Sequence, residues 1–366
     1  MSLHHVHSND GTSVMTSIIT NNAASVALAT LRSINDSLNT TNDRVSTGKK
    51  INSAADGAAY WNISTTLTSD NGALGAVKDA INLDLASVKT TNTGVTQIMN
   101  SLNTIKQALV SAQSSTADRT SLQKNIANAV SDIKSAASSA VVNGANWLSV
   151  DSSATGFNAN KSLLANFSRT SGVVSVGSTT LDTGAFAVYD AKTNGTATGT
   201  SSTIDKAVTA VATSATVSGG LTVAVGTNAG NLKGFMDTTY SISGSVGGTT
   251  VAAFTASIAD IDISALTSSD VDLAKLSSYM KIVSATIDGL QNGSTALGTT
   301  QTRLTSQQSF AQSLIDINTS SIGSLVDANM EEESTKLKAL QTQQQLAVQS
   351  LSIANNSTSN IMTLFR

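Results

Sequence analysis

The chain has 366 residues, room for two or three domains, with Lys plus Arg 21 against Asp plus Glu 24 and a formal net charge of -3. Only 12% of residues are charged and 4% aromatic, which excludes the basic, aromatic-lined face of a nucleic-acid binder. Cysteine and proline are absent, so disulfide and thiolate chemistry are excluded and nothing interrupts long helices.

Segment 1–14 holds all three histidines, His4, His5 and His7. It lacks the basic-then-apolar pattern of a Sec signal and reads as a disordered leader before the better-patterned stretch from Met15. A His-based acid–base mechanism would have to borrow a ring from this terminus, and no zinc-protease signature is possible. Segment 15–56 carries helical spacing. Ala24, Leu31, Leu38 and Val45 recur every seven residues, with Ala27, Ile34 and Thr41 three positions on.

The strongest signal lies in 57–150. Leu67, Leu74, Ile81, Val88, Val95, Leu102 and Leu109 put a large aliphatic at every seventh position. A 3.5-residue period marks a helix lying along other helices, and at 1.5 Å per residue this stretch spans roughly 63 Å. Its companion seam is only partly apolar, interrupted by Asp70, Asp84 and Thr91. Ser114–Thr116 breaks the helix. Asp118 is placed to cap a second one over about 118–140, with Leu122, Ile126, Ala129, Ile133 and Ala136 on one face.

Segment 151–285 turns to Ser, Thr, Gly and Val. Val174/Val176, Phe186/Val188, Leu221/Val223/Val225 and Ile242 alternate with small polar residues, and Gly219-Gly220 and Gly247-Gly248 mark turns. This predicts a surface-exposed, β-rich domain. Helical spacing returns over 286–325 and continues through 326–366. There Leu337, Leu351 and Phe365 form one seam and Leu340, Ala347, Ala354 and Ile361 the other, while Asn329 with Glu332 predicts a helix start near 330. The predicted fold is mainly α with a β-rich insertion: a long antiparallel coiled-coil-like helical rod from both termini plus a central outer β domain.

The terminal stripes pose a physical question. A two-helix pair with such narrow seams buries too little to offset ordering about thirty residues per strand. The seam residues at both ends are therefore expected to find burial in neighbouring copies of the chain. No chemistry competes with this mechanical reading. Gly48-Lys49 fails as a phosphate loop because Asp43 stands where the first glycine belongs. Glu331–Glu333 reads as a charged first helical turn, and Trp61 and Trp147 read as packing. No catalytic residue, metal site or cofactor is predicted.

The runs Met15–Asn22, Leu31–Ile34, Arg44–Ala54, Leu337–Leu346, Leu351–Asn355 and Ile361–Arg366 resemble the two ends of bacterial flagellins. Ala58–Ile63 and Asn146–Leu148 are similar to rhizobial and other alphaproteobacterial members. The resemblance implies an extracellular structural subunit, exported unfolded through the flagellar type III apparatus and polymerised into the swimming filament. It makes 15–56 and 326–366 inner-core helices, and 57–150 and 286–325 the outer core. Implied partners are further copies of itself, paralogous flagellins, an export chaperone, hook-associated and cap proteins, and host receptors, without nucleic acid or membrane insertion. Two alternatives stand beside it: a hook–filament junction protein of the same superfamily, and a flagellin whose middle domain is an adhesin or polysaccharide-binding module.

The resemblance also covers two receptor-sensed stretches. Asp43–Ser64 resembles the segment sensed by a plant receptor kinase but departs from it at Gly57, Tyr60 and Trp61. Leu102–Leu109 resembles the segment read by an animal Toll-like receptor, with Thr104 where the family has Arg and Gln107 where it has Glu. These departures imply weakened sensing.

Overall fold

The computed structural model describes residues 21–152, 154, 156–170, 173–190, 215–216, 220–225 and 234–364. The leader 1–14, Gly219 and Phe365 lie outside the described residues, as do the side chains of Val174, Val225 and Ile361. Five long helices are described: α1 (Asn22–Thr47), α2 (Ala58–Ala112), α3 (Arg119–Ser139), α4 (Asp270–Val326) and α5 (Met330–Leu364). The fold is mainly helical, with long helices from both ends of the chain and a β-rich centre. It divides into two compact units, one of residues 1–71 and 316–366 and the other of 72–315.

In the first unit α1 starts where the Asn21 side chain accepts the Ala24 N–H at 2.9 Å. It stops at Gly48, whose φ of 70° is the left-handed conformation glycine adopts without strain and whose N–H reaches the Arg44 carbonyl at 2.9 Å. The strands of chain that follow α1 and α4 then pair with each other. Lys50 N–H donates to the Val326 carbonyl at 2.7 Å and Ala328 N–H to that of Gly48 at 2.9 Å. Asn329 starts α5, its side-chain oxygen accepting the N–H groups of Glu331 and Glu332 at 3.2 and 3.4 Å.

α1 and α5 run antiparallel. Asn21 donates to the Ala354 carbonyl at 3.0 Å, Gln344 to the Asn35 side-chain oxygen at 2.6 Å, and Arg44 to Glu333 at 3.0 Å, so rising numbers on one helix meet falling numbers on the other.

In the second unit the heptad stripe of α2 is the core. Leu74, Ile81, Val88, Val95, Leu102 and Leu109 are all buried, with Val77, Ile98, Ile105 and Ala112 behind them. α2 ends at Ala112, and Asp118 caps α3 by accepting the Thr120 and Ser121 N–H groups, each at 3.1 Å. α3 packs Ile126, Ile133 and Ala137 into the same core. α4 lies antiparallel to α2, held in register by Asn92 with Ser294 at 2.8 Å and Lys78 with Gln312 at 2.7 Å.

The β-rich part begins with two small pairs, β1 (Val141–Val142) with β2 (Ala145–Asn146) and β3 (Ser149–Val150) in parallel with β6 (Tyr189–Asp190). β4 (Asn160–Thr170) and β5 (Val173–Asp182) form an antiparallel hairpin. A four-stranded antiparallel sheet follows, ordered β10 (Thr249–Ala256), β9 (Tyr240–Val246), β8 (Leu221–Val225), β7 (Ala215–Thr216). Gly247 and Gly248, at φ 57° and 83°, make the two-residue turn between β9 and β10 that their sequence predicts.

Two expectations are corrected. The helix expected to resume at 286 begins at Asp270, because Leu276, Tyr279 and Val283 already follow helical spacing and are buried. The Ser/Thr-rich stretch in front of them, Thr267–Ser269, had the composition of the strands. Phe186 and Val188 are not in a strand. Asp182 accepts the Gly184 N–H at 2.8 Å and starts a short 3-10 turn, after which Phe186, Ala187 and Val188 are buried in succession as a plug.

Candidate assembly surfaces

The sequence seams of the terminal helices meet each other inside one chain. Ala24, Leu31, Leu38 and Val45 on α1 and Leu337, Ala347, Leu351 and Ala354 on α5 are half-buried, and Leu340 is buried. The expectation that these stripes wait for neighbouring copies is therefore revised: each helix is the other's first partner. Burial remains shallow, since most seam positions are only half covered. Polar groups set the register, above all the Arg44–Glu333 ion pair at 3.0 Å. Glu333 is buried with Oε2 unpaired, so the acidic turn of α5 is more than a complement to the helix dipole.

Other apolar side chains of these helices remain open. Val26 and Leu28 are exposed on α1, and Leu346, Val348 and Ile353 on α5, with Ile353 70% exposed. Ala339, Leu346 and Ile353 stand seven residues apart, about 130° around α5 from the centre of the Leu337–Ala354 seam at 100° per residue. α5 thus carries two apolar stripes, one turned to α1 and one turned outward. The second is a heptad offset by two positions from the first, with fewer apolar side chains than the seam that faces α1.

In the same unit Leu67 is half-buried on α2, while Tyr60 and Ile63 are exposed there and Ile317 is exposed on α4. Asn71 Nδ2 donates to Thr319 Oγ1 at 3.1 Å, and Asn71 Oδ1 accepts from Asn318 Nδ2 at 3.0 Å. Of the receptor-related residues, Asp43 and Tyr60 are exposed and Gly57 and Trp61 are half-buried at the start of α2. Asp56 holds the turn before them. The N–H of Asn52, then the Ser53 hydroxyl and N–H, keep its carboxyl below the usual carboxylate range.

In the second unit Thr104 and Gln107 are exposed on α2, away from the buried Leu102, Ile105 and Leu109. Asp84, a break in the α2 companion seam, accepts the Leu164 N–H of β4 at 2.8 Å. Burial pushes its carboxyl up, with that N–H working in the opposite direction. Among the described residues no three His, Cys, Asp or Glu gather to hold a metal ion, and no helix is long and apolar enough to cross a membrane. These are surfaces for packing, graded from a dry core on α2 to open stripes on α5.

Residues 18–153 match the family model of the bacterial flagellin N-terminal helical region, and 280–365 that of the bacterial flagellin C-terminal helical region. Flagellin C of Rhizobium meliloti is 38% identical over 353 residues, covering 96% of this chain and 100% of that protein. Flagellin A of Rhizobium meliloti is 36% identical, and the flagellin of Brucella melitensis 33%, each again across 96% of this chain and 100% of its own length.

Proposed function

The chain belongs to the bacterial flagellin family, and on that premise we propose that the outward stripes of its terminal helices are where copies join into a flagellar filament. Its function is that of a structural filament subunit for motility, and its place is the extracellular flagellum. The named relatives match along their whole lengths as flagellins, which favours the filament over a junction protein or an adhesin.

One observation carries the assembly reading: apolar Leu346 and Ile353 stand exposed on a helix whose other face is already taken by α1. Exposed aliphatics in a repeating stripe are the usual mark of a protein–protein surface. A heterologous contact that does not close on itself extends into a helical polymer. The shallow α1–α5 seam fits the same reading, since a marginal helix pair gains order when neighbours cover it. The work is mechanical rather than catalytic. An export chaperone and hook-associated and cap proteins are further partners we infer from family membership, with paralogous flagellins as co-polymers. The departures at Gly57, Tyr60, Trp61, Thr104 and Gln107 favour weak host-receptor sensing.

Seeded growth tests the central reading. Purified chain added to short filament fragments is expected to elongate them, seen by electron microscopy and sedimentation, with circular dichroism showing added helix in the polymer. Protein that stays monomeric at every concentration on competent seeds would overturn it.

A further inference from the structure

We propose that Arg119, in the second unit, is the docking point for a carboxylate of a second copy of the chain; the proposal rests on the filament reading above. Arg119 is the first residue of α3 and is only 8% exposed. Its guanidinium is poorly served. Nη2 donates to the Ser114 carbonyl at 3.4 Å and to the Ser268 hydroxyl at 3.5 Å, both at the outer limit for a hydrogen bond and both to neutral groups. Nε is buried and has no acceptor.

Three carboxylates on the two segments that meet at Arg119, one beside it and two on either side of Ser268, are engaged elsewhere. Asp118 accepts from Thr120 and from the Ser121 N–H and hydroxyl, Asp262 from Ser264, and Asp272 from Thr267 and Lys275. A guanidinium cannot shed its proton, so taking it from water without an anion costs stability. Such a group is tolerated where a partner supplies the missing charge.

The position favours another copy of the chain as that partner. α2 stops and α3 and α4 begin around Arg119, so the site lies at the end of these helices, beside the exposed turn Ser114–Thr116. The chain has more acidic than basic residues, 24 against 21, so each copy brings carboxylates in surplus. A buried cation meeting a partner's carboxylate fixes register more than it adds affinity, which is what a repeating assembly needs.

The test compares wild type with Arg119→Met and Arg119→Lys in seeded growth, alongside thermal melts of the monomers. Arg119→Met is expected to raise the critical concentration about tenfold at low salt while leaving the monomer's melting temperature unchanged or higher. Added NaCl should raise the wild-type critical concentration and leave that of Arg119→Met nearly flat. Arg119→Lys, which keeps the charge without the planar fork, should fall between. An unchanged critical concentration in Arg119→Met overturns the proposal, as does a lowered monomer melting temperature, which would make the role internal to the chain. So does sulfate or phosphate that raises the wild-type melt but not that of Arg119→Met, which would make this a small-anion site. Wild type that never elongates seeds overturns the filament reading and this proposal with it; wild type that grows beside an unimpaired Arg119→Met overturns this proposal alone.

Discussion

Asp84 shows what a single residue can hide. In the sequence it is a defect in an otherwise apolar seam; in the structure its carboxylate receives the Leu164 N–H of β4 at 2.8 Å. Heptad spacing holds no information about a strand eighty residues away, so only the defect was legible. Because burial raises this carboxyl, its ionised form is less favoured in the folded chain, and stability falls as pH rises from the unfolded carboxylate range through the folded value. Asp84→Asn keeps an oxygen for Leu164 without the charge and is expected to raise the melting temperature slightly at pH 7. Asp84→Leu, which completes the heptad, leaves that N–H buried without an acceptor and should cost about 1–2 kcal/mol. Scanning calorimetry of the two variants decides it: the more hydrophobic seam should be the less stable one.

Asp272 has the opposite sign. Burial would raise its carboxyl, but the Thr267 hydroxyl and N–H and the Lys275 ammonium together hold it down to about 2. The stabilisation is complete above the unfolded carboxylate value and is lost as pH falls from about 4 towards 2. Asp272→Asn should therefore lower the melting temperature at pH 7 and show a flatter decline between pH 4 and pH 2 than wild type. Parallel acid-side melts that do not converge would refute this assignment. The Asp272 contacts also cap the start of α4, where the strand-like composition of Thr267–Ser269 masks a helix that the structure shows burying Leu276, Tyr279 and Val283.

For whole elements, period was legible and contact was not. The seven-residue repeat of α2 named its buried face, because a helix packed along others must repeat that way over many turns. Which other segments it meets depends on glycines that no periodicity flags. On α4, a Cβ at Gly293 would lie 2.5 Å from the Ala185 carbonyl oxygen and 2.8 Å from Phe186 Cβ, and one at Gly289 would lie 2.6 Å from Phe235 Cε1. These two positions, four apart, let the Phe186 plug and Phe235 sit against the helix backbone. Gly298 on the same helix has nothing within 4 Å of where its Cβ would be. Two Gly→Ala changes in one helix should thus differ in sign. Gly298→Ala should stabilise by up to about 1 kcal/mol through helix propensity, while Gly293→Ala should destabilise by about 1–3 kcal/mol because a backbone carbonyl cannot give way like a side chain. Urea melts of the second unit's helical signal measure both; equal shifts would show that the plug is not seated on Gly293.

For the molecule as a polymer subunit, the sequence predicts adhesive chain ends but not which face does which work. Leu351 and Ile353 on α5 are two residues apart and answer to different partners: Leu351 is half-buried in the α1 seam, and Ile353 is 70% exposed. An aspartate at Leu351 places a charge in the seam and should unpair the terminal helices, lowering the helical signal of the monomer and abolishing growth on seeds. An aspartate at Ile353 meets only water in the monomer, so its helix content and melting temperature should stay within about 0.5 kcal/mol of wild type. In a filament the same carboxylate would replace an aliphatic group whose burial is worth about 1.5–3 kcal/mol, and an unpaired charge adds to that loss at every repeat. Ile353→Asp should therefore remain a well-folded monomer that sediments as such in the presence of seeds. If it instead elongates seeds as wild type does, the outward stripe of α5 is not the joining surface, and copies must meet through another face of the chain.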